Sequence, residues 1–110
     1  MKIIVTGGAG FIGSHLVDRL VKDDWGEIVV LDNLFRGKME NLARHRDNSR
    51  VRFVNADIRD AAMLREQMRD ADFVFHLAAQ SNVMGAVTNV NYSFETNVVG
   101  TFNVLQAAHA

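Results

Sequence analysis

The sequence predicts an α/β fold: a doubly wound parallel sheet of four βα units in the order 3-2-1-4. Three observations carry that prediction. Short β-branched runs alternate with stretches of helical apolar spacing, four times in succession. The strand-like runs are almost continuously apolar, as strands covered on both faces are. The chain of 110 residues has room for one domain only. Right-handed crossovers between parallel strands then restrict the order to the doubly wound one.

The elements follow in order. Lys2–Thr6 is a buried-strand run that ends in glycines. Residues 12–22 place Ile12, Leu16, Val17, Leu20 and Val21 on one helical stripe. Glu27–Asp32 is a second strand, and 38–46 a short helix on the apolar pair Met39 and Leu42. Val51–Asn55 is a third strand. Asp60 has the chemistry of an N-cap for a helix carrying Met63, Leu64, Gln67 and Met68. Residues 73–77 form the fourth strand, a polar loop spans 81–89, and a long helix covers 92–108.

Composition narrows the function. Twelve Lys and Arg stand against 13 Asp and Glu, for a formal charge of −1, which gives no electrostatic footprint for nucleic acid or an anionic membrane. The arginines at 44, 46, 50 and 52 interleave with Asp47 and read as a solvated face. There is no cysteine, hence no disulfide, thiolate nucleophile or Cys-based zinc site. The four histidines are widely spaced, with no i,i+4 pair to hold a metal. His76, on the fourth strand, is expected to be a hydrogen-bonded core or rim residue. No apolar stretch approaches the ~20 residues that span a bilayer, and the expected compartment is the cytoplasm. Proline is absent, a feature for which the sequence offers no functional account.

The chemistry concentrates where the first strand meets the first helix. Gly7, Gly10 and Gly13 stand between them, and Asp32 lies 19 residues beyond Gly13 at the end of the second strand. This is the context a dinucleotide fingerprint requires. Gly7 permits the tight turn, Gly10 lets the backbone approach a pyrophosphate, and Gly13 lets the helix pack on the sheet. The helix N-terminus supplies unpaired N–H groups and a positive dipole end for the phosphates. A carboxylate at Asp32 accepts from ribose hydroxyls and repels a 2′-phosphate, which favours NAD over NADP. Arg36 and Lys38 follow closely; they either soften that repulsion or belong to a solvated loop.

Beyond spacing, the stretch Thr6-Gly7-Gly8-Ala9-Gly10-Phe11-Ile12-Gly13-Ser14-His15-Leu16 resembles the signature of extended short-chain dehydrogenases/reductases, the NAD-dependent epimerase/dehydratase family. Four further stretches agree in order: Val30-Leu31-Asp32-Asn33-Leu34, Ala56-Asp57-Ile58-Arg59-Asp60, His76-Leu77-Ala78-Ala79-Gln80 and Glu95-Thr96-Asn97-Val98-Val99-Gly100-Thr101. The resemblance covers the chain end to end and implies a Rossmann-like NAD-binding domain. It implies that Phe11 and Ile12 cap the pyrophosphate through their backbone. Asp32 and Asn33, with the loop of Leu34, Phe35, Arg36 and Gly37, would line the adenosine ribose. Asp57 and Ile58 would meet the adenine edge, with Asp57 accepting from the exocyclic amine. Leu77, Ala78, Ala79 and Gln80 would run beneath the cofactor, and Asn97 would face back from the last helix. The alternatives are that Asp57 only starts a turn and that Asn97 only ties helix to loop. The loop 80–84 resembles family members acting on nucleotide-diphosphate sugars, such as UDP-glucose 4-epimerases and dTDP-glucose 4,6-dehydratases.

The family's chemistry uses a tyrosine base with a lysine four residues later, and a Ser or Thr. Here the only tyrosine is Tyr92, followed at that distance by Thr96, so Tyr92 is expected to be structural. The resemblance therefore implies the NAD-binding first part of a larger epimerase or dehydratase, ending before a fifth strand, the catalytic Tyr-Lys pair and the sugar-binding lobe. Such a chain would bind NAD without turnover. The alternative is a non-catalytic NAD-binding sensor or assembly module. A homo-oligomer is expected through the fourth strand, which lacks the charges that usually blunt a sheet edge, or through the last helix.

Overall fold

The computed structural model describes residues 1–80 and 83–109; Ser81 and Asn82, in the predicted polar loop, lie outside the described residues. Four parallel strands form one sheet in the order β3-β2-β1-β4, as predicted. They are β1 (Lys2–Thr6), β2 (Glu27–Asp32), β3 (Val51–Asn55) and β4 (Phe73–His76). The side-chain period of two sorts the apolar runs onto two faces. Ile3, Val5, Ile28 and Val30 point to one face, where they pack with Val17 and Leu20 of helix α1 (Phe11–Lys22) and with Leu42. Ile4, Val29 and Leu31 point to the other, against Leu64 of α2 (Ala61–Gln67) and Val104 and Ala107 of the last helix. Each fully buried Val, Leu or Ile contributes roughly 1.5–3 kcal/mol, so the central strands β1 and β2 hold the fold together. Among the described residues no helix is long and apolar enough to cross a membrane.

Several elements differ from their expected form. The segment Met39–His45 is a 3-10 helix, not an α-helix; only Leu42 and His45 are buried, and Met39 stays exposed. With a single buried apolar anchor there is no stripe to pay for a regular α-helix. Part of the predicted polar loop is helical, α3 (Val83–Thr88). The last helix begins at Val90, capped by the Asn89 side chain on the Tyr92 N–H. It runs as α4 (Val90–Phe94), a π-helical turn (Glu95–Gly100) and α5 (Thr101–His109). Asp60 caps α2 as expected, its carboxylate accepting from the Met63 N–H at 3.1 Å.

The carboxyl ends of β1, β2, β3 and β4 all open on one rim of the sheet. The sequence order reverses between β1 and β4, and such a switch point is where doubly wound sheets bind ligands. β4 is an edge strand, and Phe73, Phe75 and Leu77 beside it are partly exposed.

Candidate functional site

The site begins at the turn after β1. Gly7 has φ +72°, a left-handed conformation that favours glycine, and its N–H donates to the Leu31 carbonyl at 2.8 Å. A Cβ there would lie 2.8 Å from the Ala78 nitrogen, so Gly7 also lets β1 and the exit of β4 touch. Gly13 is closed more tightly, since its Cβ would sit 2.1 Å from the Gly7 carbonyl oxygen. Gly10 differs from both. Its backbone, at φ −78° and ψ −179°, suits any residue, and a Cβ would meet only the Gly7 oxygen, at 3.3 Å. The protein's own packing does not use that space. Gly10 is also the N-cap of α1, where no side chain caps the helix, and residues 10–13 of its first turn line the cleft.

Asp32 ends β2 and is buried. Its Oδ2 accepts from the Ala9 N–H at 3.0 Å and its Oδ1 from the Leu34 N–H at 2.8 Å. One carboxylate thus fixes both the glycine turn and the loop after β2. Leu34 takes φ +62° in doing so. Each carboxylate oxygen keeps a second lone pair.

Across the cleft, the loop after β3 brings Asp57 and Arg59 together. Asp57 Oδ1 accepts from the Arg59 N–H at 2.9 Å, the turn-starting role weighed for it. The Arg59 guanidinium reaches Asp57 Oδ2 at 2.7 Å and holds its carboxyl below the usual carboxylate range, against the raising effect of burial. Arg59 itself is shifted upward by that bond. Asn33 Nδ2 lies 3.3 Å from Asp57 Oδ2 and 3.3 Å from the Tyr92 hydroxyl. Tyr92 stacks with Phe35, ring centroids 4.6 Å apart, and carries the Arg59 guanidinium 4.8 Å over its ring. The loops after β2 and β3 are clamped there around the one aromatic ring of α4.

The floor is the exit of β4. The N–H of Leu77 and of Ala78 both point at the Thr6 hydroxyl, at 3.0 and 3.2 Å. Gln80 is held by Asn97, whose Oδ1 accepts from the Gln80 N–H at 2.7 Å and whose Nδ2 donates to the Gln80 carbonyl at 3.0 Å. Asn97 lies in the π-helical turn, and its neighbour Thr96 faces the cleft. The Thr96 hydroxyl is the buried side-chain polar atom without a hydrogen-bond partner among the described residues. Leaving such a group unsatisfied costs about 1–3 kcal/mol.

These groups enclose a cleft of about 560 Å³, within the usual range for a small-molecule site. Of the residues named from the sequence, Gly7, Gly10, Phe11, Ile12, Gly13, Asp32, Asn33, Phe35, Arg36, Gly37, Asp57, Ile58, Leu77, Ala78 and Ala79 line it. Leu34, Gln80 and Asn97 stand behind the wall: Leu34 serves the Asp32 turn, and Asn97 ties helix to loop through Gln80. Arg36 is turned onto the Phe35 ring, 5.9 Å from its centroid. Leu31, Ala56, Tyr92 and Thr96 line the cleft without having been singled out as binding residues. For Leu31 and Ala56 the signal was available, since each adjoins a named acidic residue at a strand's carboxyl end. Tyr92 and Thr96 have no local signal of that kind.

Comparison with known proteins agrees with this geometry. Residues 4–110 match the family model described as GDP-mannose 4,6 dehydratase. A putative UDP-glucose 4-epimerase of Methanocaldococcus jannaschii is 45% identical over 105 residues, 94% of this chain and 32% of that protein. A dTDP-glucose 4,6-dehydratase of Escherichia coli is 44% identical over 111 residues, 98% of this chain and 31% of that protein. The crystal structure of a dTDP-glucose 4,6-dehydratase from Streptomyces venezuelae, which holds NAD, superimposes with a TM-score of 0.92. It is 43% identical, over 98% of this chain and 35% of that one. The chain thus spans about a third of the length of the relatives it matches.

Proposed function

The chain belongs to the GDP-mannose 4,6 dehydratase family of NAD-dependent epimerases and dehydratases, and we propose that its cleft binds NAD. In this reading the pyrophosphate lies over residues 10–13 and the adenosine between Asp32, Asn33, Asp57 and Ile58. The observation that carries it is the open space at Gly10: the one glycine of the turn that internal packing does not require is the one a pyrophosphate needs. The orphaned Thr96 hydroxyl fits the same reading, since a bound polar ligand would satisfy it. The free lone pairs of Asp32 accept from ribose hydroxyls, while a 2′-phosphate would meet the carboxylate's charge. NAD is therefore preferred to NADP.

Bound NAD supplies a hydride acceptor. In the longer protein the reaction is transient or net hydride transfer from C4 of a nucleotide-diphosphate sugar, with this segment binding and orienting the cofactor. Tyr92 is not placed as a base: its hydroxyl meets Asn33 and its ring is clamped between Phe35 and Arg59. With no Tyr-x-x-x-Lys in its sequence, the 110-residue chain alone binds without turnover. It also self-associates, through β4 or through the outer stripe of the last helix, where Phe94, Val98, Phe102 and Leu105 are exposed. Calorimetric titration with NAD and NADP tests the central claim. Saturable binding of NAD with weaker NADP binding is expected; equal affinities, or none for NAD, overturn it.

A further inference from the structure

The His76 imidazole stands behind the cleft wall yet touches both halves of its frame. Nδ1 lies 2.6 Å from the Thr6 hydroxyl and Nε2 lies 3.0 Å from the Thr101 hydroxyl. The Thr6 hydroxyl oxygen already accepts from the Ala78 N–H and shares the Leu77 N–H with the Thr6 carbonyl, 3.0 Å from that nitrogen. A hydroxyl has two lone pairs and one proton. With two N–H groups aimed at that oxygen's lone pairs, the Thr6 proton goes to Nδ1, which is then bare. The network therefore assigns a neutral ring carrying its proton on Nε2 and donating it to Thr101. Thr6 precedes the glycine turn, Leu77 and Ala78 form the floor, and Thr101 follows the turn that bears Thr96 and Asn97.

We propose that His76 is a positioning residue for the cofactor, joining the cleft floor to the π-helical turn only while its ring is neutral. The proposal rests on the NAD reading above. Protonating Nδ1 sets a third N–H against one hydroxyl oxygen, which has two lone pairs. The Thr6 hydroxyl must then turn, and the Ala78 amide loses its acceptor while Leu77 keeps only the Thr6 carbonyl. Burial pushes the His76 pKa below the ordinary histidine value of 6.5, so the neutral ring is the resting state at neutral pH. The charged residues on the elements packed against His76 are engaged elsewhere or distant. Lys2 Nζ donates to the Arg69 carbonyl at the other end of β1, Glu95 faces Arg59, and His109 ends α5. Asp72, just before β4, accepts from the Lys2 N–H.

The test is NAD affinity from pH 8 to pH 5, with circular dichroism at each pH to follow the folded fraction. For the wild-type chain, affinity is expected to hold from pH 8 through the ordinary histidine value of 6.5 and to fall only below the lowered native His76 pKa, by at most about tenfold per pH unit. His76→Asn keeps an acceptor for Thr6, does not titrate and cannot reach Thr101; it should bind more weakly at pH 8 and show no such slope. Thr101→Val should weaken binding at pH 8, and Thr101→Ser should restore it. Imidazole ¹⁵N shifts of the wild-type chain read the tautomer directly, whatever the variants do to folding. A ring protonated on Nδ1 at pH 8 overturns the proposal. So does the wild-type slope surviving in His76→Asn. Tight binding at pH 8 with a flat profile overturns this proposal alone; no binding at pH 8 overturns the NAD reading and the proposal with it.

Discussion

Two neighbouring glycines of the same turn should fail in different ways when substituted. At Gly13 a Cβ falls 2.1 Å from the Gly7 oxygen and 2.8 Å from the Gly8 Cα, both backbone atoms with nowhere to go. Overpacking of this kind costs about 3 kcal/mol. Gly13→Ala recovers about 1 kcal/mol of helix propensity, leaving a net loss of about 2 kcal/mol. For a 110-residue chain each kcal/mol moves Tm by about 4 °C, so Gly13→Ala should melt about 8 °C early. At Gly10 the same atom meets one oxygen at 3.3 Å and otherwise open space. Gly10→Val gives up about 1 kcal/mol as an N-cap and regains part of that from the stiffer unfolded chain. Its Tm should stay within about 4 °C of wild type. Its isopropyl group nevertheless fills the pyrophosphate's space, and NAD affinity should fall at least about a hundredfold, ~2.7 kcal/mol. Thermal melts and calorimetric titration of both variants decide the matter. A folded Gly10→Val chain that binds NAD with unchanged affinity would falsify the placement of the pyrophosphate. Equal destabilisation by both substitutions would show that Gly10 is a packing glycine after all.

Three further outcomes follow from single features. Asp32→Ala removes the acceptor of two buried or half-buried N–H groups, those of Ala9 and Leu34, and should cost about 3 kcal/mol in urea unfolding; a loss under about 1 kcal/mol would mean that water replaces the carboxylate. Asp57 has a lowered pKa, so its contribution is present above the ordinary value of 3.8 and is lost as pH falls through the lower native value. Arg59→Ala should therefore shrink the stability difference between pH 5 and pH 2, and an unchanged acid limb would remove Arg59 as the cause. Light scattering over a concentration series should show dimers or larger species, whereas a monomer throughout, with free amide exchange along β4, would mean that the exposed edge and helix stripe are tolerated.

What the sequence could announce is what local geometry encodes. The order of the strands, the two faces of β1 and β2, the glycine turn and Asp32 all rest on periods of two residues or on spacings within one βα unit. The far side of the cleft is built otherwise. Thr96 and Asn97 are adjacent in sequence within a π-helical turn, yet one faces the cleft while the other grips Gln80. An apolar periodicity of 3.6 cannot reveal such a turn, because the stripe of Phe94, Val98 and Phe102 continues across it unbroken. Tyr92 reads from sequence as a tyrosine in the wrong place for catalysis. Only folding brings it to Asn33, Phe35 and Arg59, which come from the loops after β2 and β3. The hydroxyl of Thr6 is the same case in reverse: a β-branched residue suited to a strand, it is also the acceptor that fixes Leu77 and Ala78 some seventy residues away. Side chains that join βα units to one another carry no sequence period, so this half of the cleft becomes visible only once the sheet has set the distances.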